Sequence, residues 1–398
     1  MPDLDYRDEA TYAGMRRPVS LASTLVPDAY RSDAFFAQEK NALWLTSWIC
    51  VGYTQQLAKV GDTFVARIHN QSFIITRSAP GKLHAFHNVC RHRGTELLNG
   101  PGCHEFFHCP YHAWGYALDG TLLGAPYFKD DGAVTAEIKK IYDTSGAQFF
   151  DKADYPLLPV RVDTWGCLVF INVDLDCKPL AEQLGDAPER LKNYRFNELV
   201  LAHTAHYEIN ANWKLVAENY MEYYHLPTVH PGLNLASHLR NHFPFQGPGM
   251  YYGMTTRPLD KNPDVPIGRE LKHMPGLDAE ETQSARWLWM FPNVSVSMLP
   301  EYMIVMLIMP DGAGRTIERY DYFFHPETMA QEHFQGGADA VYTFWHQVNV
   351  EDIGIVEAVQ RGLTNKSYAG GRMCFRFEEN IHRFQNHVID KMVQQPKE

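Results

Sequence analysis

Hydrophobic and polar residues change their spacing along this chain, and the change predicts where strands give way to helices. Between residues 49 and 173, short apolar runs such as 63–68 and 72–77 are separated by turn-forming residues. Runs of this length, bounded by Gly, Pro, Asn or Asp, are typical of β-strands. The last of them, 164–173, is a strongly β-type segment. The pattern therefore predicts a small all-β region.

The pattern after residue 175 is mixed. Apolar runs predict strands at 199–209, 287–298, 302–309 and 316–324. Stretches with the helical period predict helices at 180–194, 212–224, 337–362 and 377–392. We expect the first of these helices to break near Pro188 and the second to end at Pro227, because proline interrupts helical hydrogen bonding. The fold class predicted for this part is α+β, with helices covering an antiparallel sheet.

These changes predict three segments, which suits a length of 398 residues. Residues 1–44 form an N-terminal arm and helix, which we expect to pack on the last segment. Residues 45–174 form the all-β domain, and residues 175–398 form the α+β domain. No internal repeat or low-complexity linker interrupts them.

Charge and cysteine content exclude several classes of protein. A formal net charge of -11 argues against binding to nucleic acid or to an anionic membrane. The seven cysteines are odd in number and widely spread, so they predict no disulfide scaffold and fit a reducing cytoplasm. The N-terminus shows no signal-peptide pattern, and the apolar run 302–309 is too short to span a bilayer. We therefore expect a cytoplasmic protein.

Two mixed pairs of cysteine and histidine carry the strongest chemical signal. The chain reads Cys90-Arg-His92 and, sixteen residues later, Cys109-Pro-Tyr-His112. Two thiolates and two imidazoles form the ligand set of a Rieske [2Fe–2S] cluster, in which the thiolates hold one iron and the imidazoles the other. The short spacings predict two finger-like loops that clamp a flat cluster. The alternative is a structural zinc site, but such sites usually pair Cys with Cys and His with His.

A second constellation follows in the predicted helix 212–224. Glu222 and His225 are three residues apart, which predicts that they share a helix face, and His230 lies five residues beyond His225. Two histidines and one carboxylate form the facial triad of a non-haem Fe(II) oxygenase. The alternative is that these histidines bind no metal and simply lie in the core or on the surface. An electron-transfer cluster in the same chain favours iron, because O2 activation consumes electrons.

The chain resembles the oxygenase (alpha) subunits of the Rieske non-haem iron oxygenases over nearly its whole length. The resemblance rests on Cys90-x-His92, Cys109-x2-His112, Asn212-Trp-Lys, Glu222-x2-His225-x4-His230, Glu351-Asp352, Glu357, Gln360 and Gly362. It implies that Asp352 is the third ligand of a mononuclear Fe(II), whereas the chemistry of the residues alone leaves Glu351 and Glu357 open. It also implies an all-β Rieske domain followed by a catalytic domain.

The same resemblance implies a homotrimer and an electron path. Most family members carry Asp where this chain has Glu222, and that residue bridges the cluster histidine of one subunit to an iron-ligand histidine of its neighbour. The implied path runs from His112 to Glu222 of the next subunit and then to His225. A separate reductase of flavin or ferredoxin type, using NAD(P)H, is the implied electron source.

Glu at this position is similar to the branch that oxidises quaternary ammonium compounds of the betaine or carnitine type. Aromatic faces hold such cations well, and the candidates are Tyr220, Tyr223, Tyr224, Tyr251, Tyr252, Trp287, Trp289 and Phe291. A monooxygenase that hydroxylates, demethylates or cleaves such a small molecule is therefore expected. The alternatives are an aromatic-ring-hydroxylating oxygenase and a Rieske electron-transfer protein without enzymatic activity.

Overall fold

A computed structural model of the chain describes residues 4–78, 81–128, 150–259 and 265–394. Contacts between residues divide the chain into two compact units. One unit consists of Val51–Asp176, and the other combines Met1–Cys50 with Cys177–Glu398. Within the described residues, no helix combines the length and the apolar character that crossing a membrane requires.

The smaller unit is built from antiparallel strands. Among the described residues, its larger sheet has the strand order β1-β10-β9-β4-β3-β2-β5, and β6-β7-β8 form a second sheet. The strands are β1 (Ile49–Tyr53), β2 (Asp62–Ile68), β3 (Gln71–Arg77), β4 (Leu83–His87), β5 (Gly102–Cys103), β6 (Phe107–His108), β7 (Gly115–Tyr116), β8 (Leu122–Gly124), β9 (Pro159–Trp165) and β10 (Leu168–Asn172). The all-β prediction for this region is confirmed.

One predicted strand of this unit is wrong in detail. The segment 164–173 is not a single strand, because β9 ends at Trp165 and β10 begins at Leu168, and these two residues are paired opposite each other. Gly166 adopts φ +57 at the reversal, a conformation that costs glycine little. The apolar run therefore folds back on itself as a hairpin.

The larger unit contains a fully antiparallel sheet with the strand order β11-β17-β16-β15-β14-β13-β12. Its strands are β11 (Val200–Ile209), β12 (His242–Phe245), β13 (Tyr251–Thr256), β14 (Ala285–Met290), β15 (Val294–Met298), β16 (Tyr302–Pro310) and β17 (Thr316–Phe324). The predicted strand 287–298 is two strands, because the chain turns between Met290 and Val294. Pro292, which lies in that turn, has no N–H to donate to a sheet ladder.

Helices belong to the same unit, which confirms the α+β class. They are α1 (Asp28–Arg31), α2 (Asp33–Glu39), α3 (Leu180–Leu184), α4 (Ala187–Arg190), α5 (Trp213–Tyr220), α6 (Leu226–Val229), α7 (Pro326–Met329), α8 (Phe334–Leu363) and α9 (Glu379–Val393). The break predicted near Pro188 falls instead at Gly185, where φ is +57 and a Cβ atom would collide with the carbonyl of Pro248. Pro188 lies in the first turn of α4, where its missing N–H costs nothing.

Burial explains which helix faces meet the sheet. In α9, the side chains spaced three or four residues apart are at most 6% exposed, and they are Ile381, Phe384, Val388 and Met392. In α8, Val341 and Trp345 join Tyr302 and Tyr322 of the sheet in one hydrophobic core. The indole N–H of Trp345 donates to the Tyr302 hydroxyl over 2.8 Å, so this core is also held by a buried hydrogen bond.

Within the larger unit, a buried ion pair joins the N-terminal segment to the residues that follow Cys177. Glu39, at the end of α2, accepts hydrogen bonds from the Lys214 ammonium at 2.9 Å and from the Trp213 indole at 3.0 Å. The side chains of Glu39 and Lys214 are both 0% exposed. Breaking such a pair from one side leaves an uncompensated buried charge. This contact therefore ties α2 to the start of α5.

Candidate metal centres and substrate cavity

Two loops of the smaller unit carry the predicted cluster ligands. Cys90 and His92 lie in the loop between β4 and β5, and Cys109 and His112 lie between β6 and β7. The structure brings the two loops together, because the rings of His92 and His112 have centroids 4.6 Å apart. Cys109 is also close enough to Cys90 to interact with its thiol.

The two loops share one backbone geometry. The N–H of Cys90 donates to the Thr95 carbonyl and the N–H of Cys109 donates to the Trp114 carbonyl, both over 2.8 Å. Four residues after each cysteine the chain takes a positive φ, +76 at Gly94 and +58 at Ala113. Each cysteine and its histidine are therefore held in a tight turn of the same kind.

The residues of these loops fit a Rieske cluster. Cys90 and Cys109 are each 2% exposed, so both thiols are shielded from solvent. Nδ1 of His92 is buried without a hydrogen-bond partner in the described part of the chain. Buried ring nitrogens almost always have a partner, so this nitrogen is free to act as a metal donor.

Tyr116 is a neighbour of the cluster loops that the sequence did not single out. Its hydroxyl lies 3.3 Å from Sγ of Cys90 and accepts a 3.0 Å hydrogen bond from the N–H of Arg91. Because the hydroxyl oxygen is already an acceptor, its proton is available for the sulfur. The pKa of Tyr116 is raised by burial and by this bond to Cys90. Tyr116 follows Cys109 by seven residues, and nothing in the sequence indicated that its side chain would reach the cluster loops.

The larger unit brings His225, His230 and Asp352 together. One ligand atom from each of these three side chains lies within 4.8 Å of the others. Oδ1 of Asp352 is 2.8 Å from Nε2 of His230 and 3.5 Å from Nε2 of His225. Two imidazole nitrogens and a carboxylate oxygen that converge from one side match the donor set of a facial triad. The three residues fit a mononuclear iron.

The helix predicted at 212–224 is confirmed only as far as Tyr220, so the prediction that Glu222 and His225 share a helix face is wrong. Helix α5 ends at Tyr220, and α6 begins only at Leu226 with Pro227 in its first turn, so Pro227 starts a helix rather than ending one. Glu222 and His225 lie in the connection between the two helices. They still meet, because the turn returns Glu222 Oε1 to 2.5 Å from Nδ1 of His225.

Each histidine is held by a carboxylate on the nitrogen that faces away from Asp352. Glu222 holds His225, and Oε2 of Glu351 lies 2.7 Å from Nδ1 of His230. Burial lowers the pKa of His230, but its bonds to Asp352 and Glu351 outweigh burial and raise the pKa overall. Such partners orient metal-ligating imidazoles and increase their basicity. The sequence placed Glu351 beside Asp352 but did not show this role.

The three converging side chains line a cavity of about 790 Å³, a volume that includes its opening to solvent. It lies between one face of the sheet and helices α5, α6 and α8. Of the eight aromatic candidates, only Tyr220, Tyr223 and Trp287 are among its described lining residues. Two further aromatic residues, Tyr320 and Trp345, line it as well. The sequence did not connect them with the metal motif, because Tyr320 lies 90 residues and Trp345 lies 115 residues beyond His230.

Comparisons with known families cover both units. Residues 47–141 match the Rieske [2Fe-2S] domain, and residues 196–394 match the catalytic domain of the ring hydroxylating alpha subunit. The second match alone spans half of the chain.

Individual relatives are matched over most of their length. The chain is 31% identical to the carnitine monooxygenase oxygenase subunit of Acinetobacter baumannii, over 86% of this chain and 85% of the relative. It is 28% identical to the chloroplastic choline monooxygenase of Beta vulgaris, over 89% of this chain and 74% of the relative.

Solved structures agree in fold. A quaternary ammonium Rieske monooxygenase in complex with L-carnitine superposes with a TM-score of 0.75 at 28% identity, covering 94% of this chain and 96% of that one. Naphthalene 1,2-dioxygenase shares the fold with a TM-score of 0.76 at 19% identity, over 98% of this chain and 95% of that one. Because a catalytic-domain family spans half of the chain and a 31% identical relative aligns with most of it, this chain belongs to the Rieske non-haem iron oxygenases, as an oxygenase (alpha) subunit.

Proposed function

We propose that this oxygenase is a monooxygenase of a quaternary ammonium compound of the betaine or carnitine type. The observation that carries the proposal is the aromatic lining of the cavity beside the iron ligands, which suits a trimethylammonium head. The carnitine and choline monooxygenases among its relatives support the same substrate class.

The assignment of ligands is part of this proposal. Cys90, His92, Cys109 and His112 would hold the [2Fe–2S] cluster, and His225, His230 and Asp352 would hold Fe(II). When bound, the cluster supplies single electrons and the iron supplies O2 activation. Glu222 and Glu351 keep the two imidazoles oriented, and the buried walls of the cavity exclude water from the substrate.

The overall reaction balances with two electrons from a separate NAD(P)H-dependent reductase. The substrate, O2, two electrons and two protons give a hydroxylated carbon next to nitrogen and one water. Hydroxylation of an N-methyl carbon yields a hemiaminal, whose C–N bond breaks to leave the demethylated amine, formaldehyde and a proton. Hydroxylation of the chain carbon next to nitrogen releases trimethylamine and an aldehyde in the same way.

The assembly we propose is a homotrimer in a reducing cytoplasm. The position of Glu222 supports it, because the side chain contacts His225 and keeps 12% of its surface exposed for contact with a neighbour's cluster histidine. His112 is exposed on the surface of the smaller unit, as a histidine that contacts another subunit must be. The domain division at 1–44, 45–174 and 175–398 stays a proposal, supported by the two compact units.

The test is O2 uptake by the enzyme with its cluster and iron, driven by NADH and a generic ferredoxin-type reductase. Choline, glycine betaine, carnitine and a panel of aromatic acids are screened, and formaldehyde and trimethylamine are assayed as products. We expect uptake with a quaternary ammonium compound, with one product molecule formed for each O2 consumed. Uptake with an aromatic acid alone would favour the ring-hydroxylating alternative, and reduction of the cluster without any substrate-dependent uptake would favour an electron carrier.

A further inference from the structure

Glu318 is a buried carboxylic acid in the cavity that the iron site does not use. It lies on β17, its residue is 1% exposed, and it is one of the lining residues. Its Oε2 accepts a 2.6 Å hydrogen bond from the side-chain amide of Asn349 on α8. Its Oε1 is buried and has no hydrogen-bond partner within the described part of the chain. Buried polar atoms almost always have partners, so the unpartnered Oε1 of Glu318 indicates a place where a bound ligand makes the missing contact.

The lining of the cavity indicates the charge of that ligand. None of the described residues that line it is Lys or Arg, so the lining carries no fixed positive charge that would repel a cationic head group. Of its carboxylates, Glu222 contacts His225 and Asp352 contacts both iron-ligand histidines. Glu318 is the remaining carboxyl group among the described lining residues. A positive charge is therefore the ligand that this acid can complement.

Aromatic residues surround the same space. Tyr320 follows Glu318 by two residues on β17, so both side chains project from the same face of the sheet. Trp287 and Trp345 line the cavity too, and their rings lie 5.6 Å apart. A carboxylate beside aromatic faces stabilises a quaternary ammonium group through charge and through cation–π attraction.

We propose that Glu318 is the specificity-determining residue that selects a cationic head over a neutral group of the same shape. The inference rests on the proposed function and deepens it, because it names one residue that decides the charge of the substrate. Asn349 positions the carboxyl group through its hydrogen bond, and the aromatic rings form the walls that fit the head group.

The protonation state of Glu318 makes the proposal measurable in a second way. The pKa of Glu318 is raised to about 8: burial is the largest cause, the Asn349 bond acts in the opposite direction, and the charge of Asp352 on α8 adds to the increase. The other titratable groups whose charges couple to Glu318 are Tyr207 on β11 and Tyr320 and Tyr322 on its own strand. A nearby cation favours the ionised carboxylate. At pH 7, binding of a cation should release a proton, whereas binding of a neutral isostere should not.

The experiment measures binding to the enzyme with its cluster and iron by calorimetry under anaerobic conditions. The probes are choline and 3,3-dimethylbutan-1-ol, in which carbon replaces the charged nitrogen. Buffers with different heats of ionisation report protons released on binding. We expect wild type to bind choline at least about tenfold more tightly than the alcohol, because the carboxylate and the aromatic faces attract the charge of the trimethylammonium head, which has no N–H to donate.

Glu318→Gln keeps the size of the side chain and an acceptor for Asn349 but removes the charge. We expect this variant to lose most of the preference for choline and all of the proton release, with binding of the alcohol unchanged. Glu318→Asp should keep a preference for choline, because it keeps the charge. The control is Glu301→Gln, which alters an acid that is also fully buried but lies beside His273 and outside the cavity lining. It should behave like wild type.

The outcomes separate the two proposals. A wild-type preference for choline that survives in Glu318→Gln would overturn the role of Glu318 and leave the proposed function standing. Equal losses for choline and the alcohol in Glu318→Gln would show that Glu318 acts on cavity shape alone, which also overturns it. If wild type shows no preference for the cation, the substrate class itself is wrong.

Discussion

Glu222 holds His225 by the ring nitrogen that points away from Asp352. Glu222 Oε1 lies 2.5 Å from Nδ1 of His225, which leaves Nε2 of the same ring facing the carboxylate of Asp352 at 3.5 Å. The other oxygen of Glu222 accepts from the backbone N–H groups of Tyr224 and His225. One side chain therefore fixes both the connection between α5 and α6 and the orientation of the imidazole.

Replacing Glu222 by Gln should affect electron transfer selectively. The amide keeps the size of the side chain but loses the charge and one acceptor. We expect the cluster to form and be reduced, iron to bind, and turnover to fall by about 10–100-fold, the usual cost of losing such a ligand partner. Single-turnover reoxidation of pre-reduced cluster, after addition of substrate and O2, measures the step. The control is Glu208→Gln, which alters an exposed acid paired with Arg315. If Glu222→Gln leaves the rate of cluster reoxidation unchanged, Glu222 does not bridge the cluster histidine of one subunit to His225 of its neighbour.

Replacing Asp352 by Ala should remove mononuclear iron and turnover while the visible spectrum of the cluster is preserved. The reason is that Asp352 supplies the oxygen on which both histidine Nε2 atoms converge. Iron and acid-labile sulfide per subunit give the readout, because the cluster irons stay when the mononuclear iron is lost. Asp339→Ala, at an exposed acid on the same helix α8, should keep the full iron content. Full iron in Asp352→Ala would mean that another carboxylate is the ligand.

Replacing Tyr116 by Phe should lower the reduction potential of the cluster. The phenol hydroxyl lies 3.3 Å from Sγ of Cys90, and hydrogen bonds to cluster sulfurs raise the potential. Loss of about 1 kcal/mol of this bond corresponds to roughly 40 mV in a one-electron couple. Redox titration followed by electron paramagnetic resonance gives the value. Tyr155→Phe, which alters a ring that packs on Trp114 beside the cluster loops, is the matched control. A potential equal to that of wild type in Tyr116→Phe rules out a bond to the sulfur.

Replacing Glu39 by Ala should strongly destabilise the larger unit. The change leaves the Lys214 ammonium, 0% exposed, without its ion-pair partner. Breaking a buried pair from one side costs about 3–5 kcal/mol. Urea unfolding followed by far-ultraviolet circular dichroism measures the free energy of unfolding. The control Glu189→Ala breaks an exposed pair with Lys192 and should cost about 0–1 kcal/mol. A similar small cost for Glu39→Ala would show that Lys214 finds another partner.

Local patterns in the sequence were enough where one segment decides the outcome. The strand predicted at 316–324 coincides with β17, and the apolar face of α9 is buried as its period predicts. The spacing within Cys90–His92 and Cys109–His112 likewise belongs to single loops, since each loop is closed by its own backbone hydrogen bonds. In these places the chain's short-range chemistry alone selects the conformation.

Only the tertiary structure decided which distant side chains meet. Chemistry could not choose among three acids of α8, but packing places Asp352 between the two Nε2 atoms, Glu351 against Nδ1 of His230, and Glu357 on Asn210. The contact between His230 and Asp352 joins residues 122 positions apart. Glu318 likewise becomes a cavity acid only because β17 lies opposite α8. Positions along the chain do not encode such distances; they arise when the sheet and helices bury their apolar faces against each other.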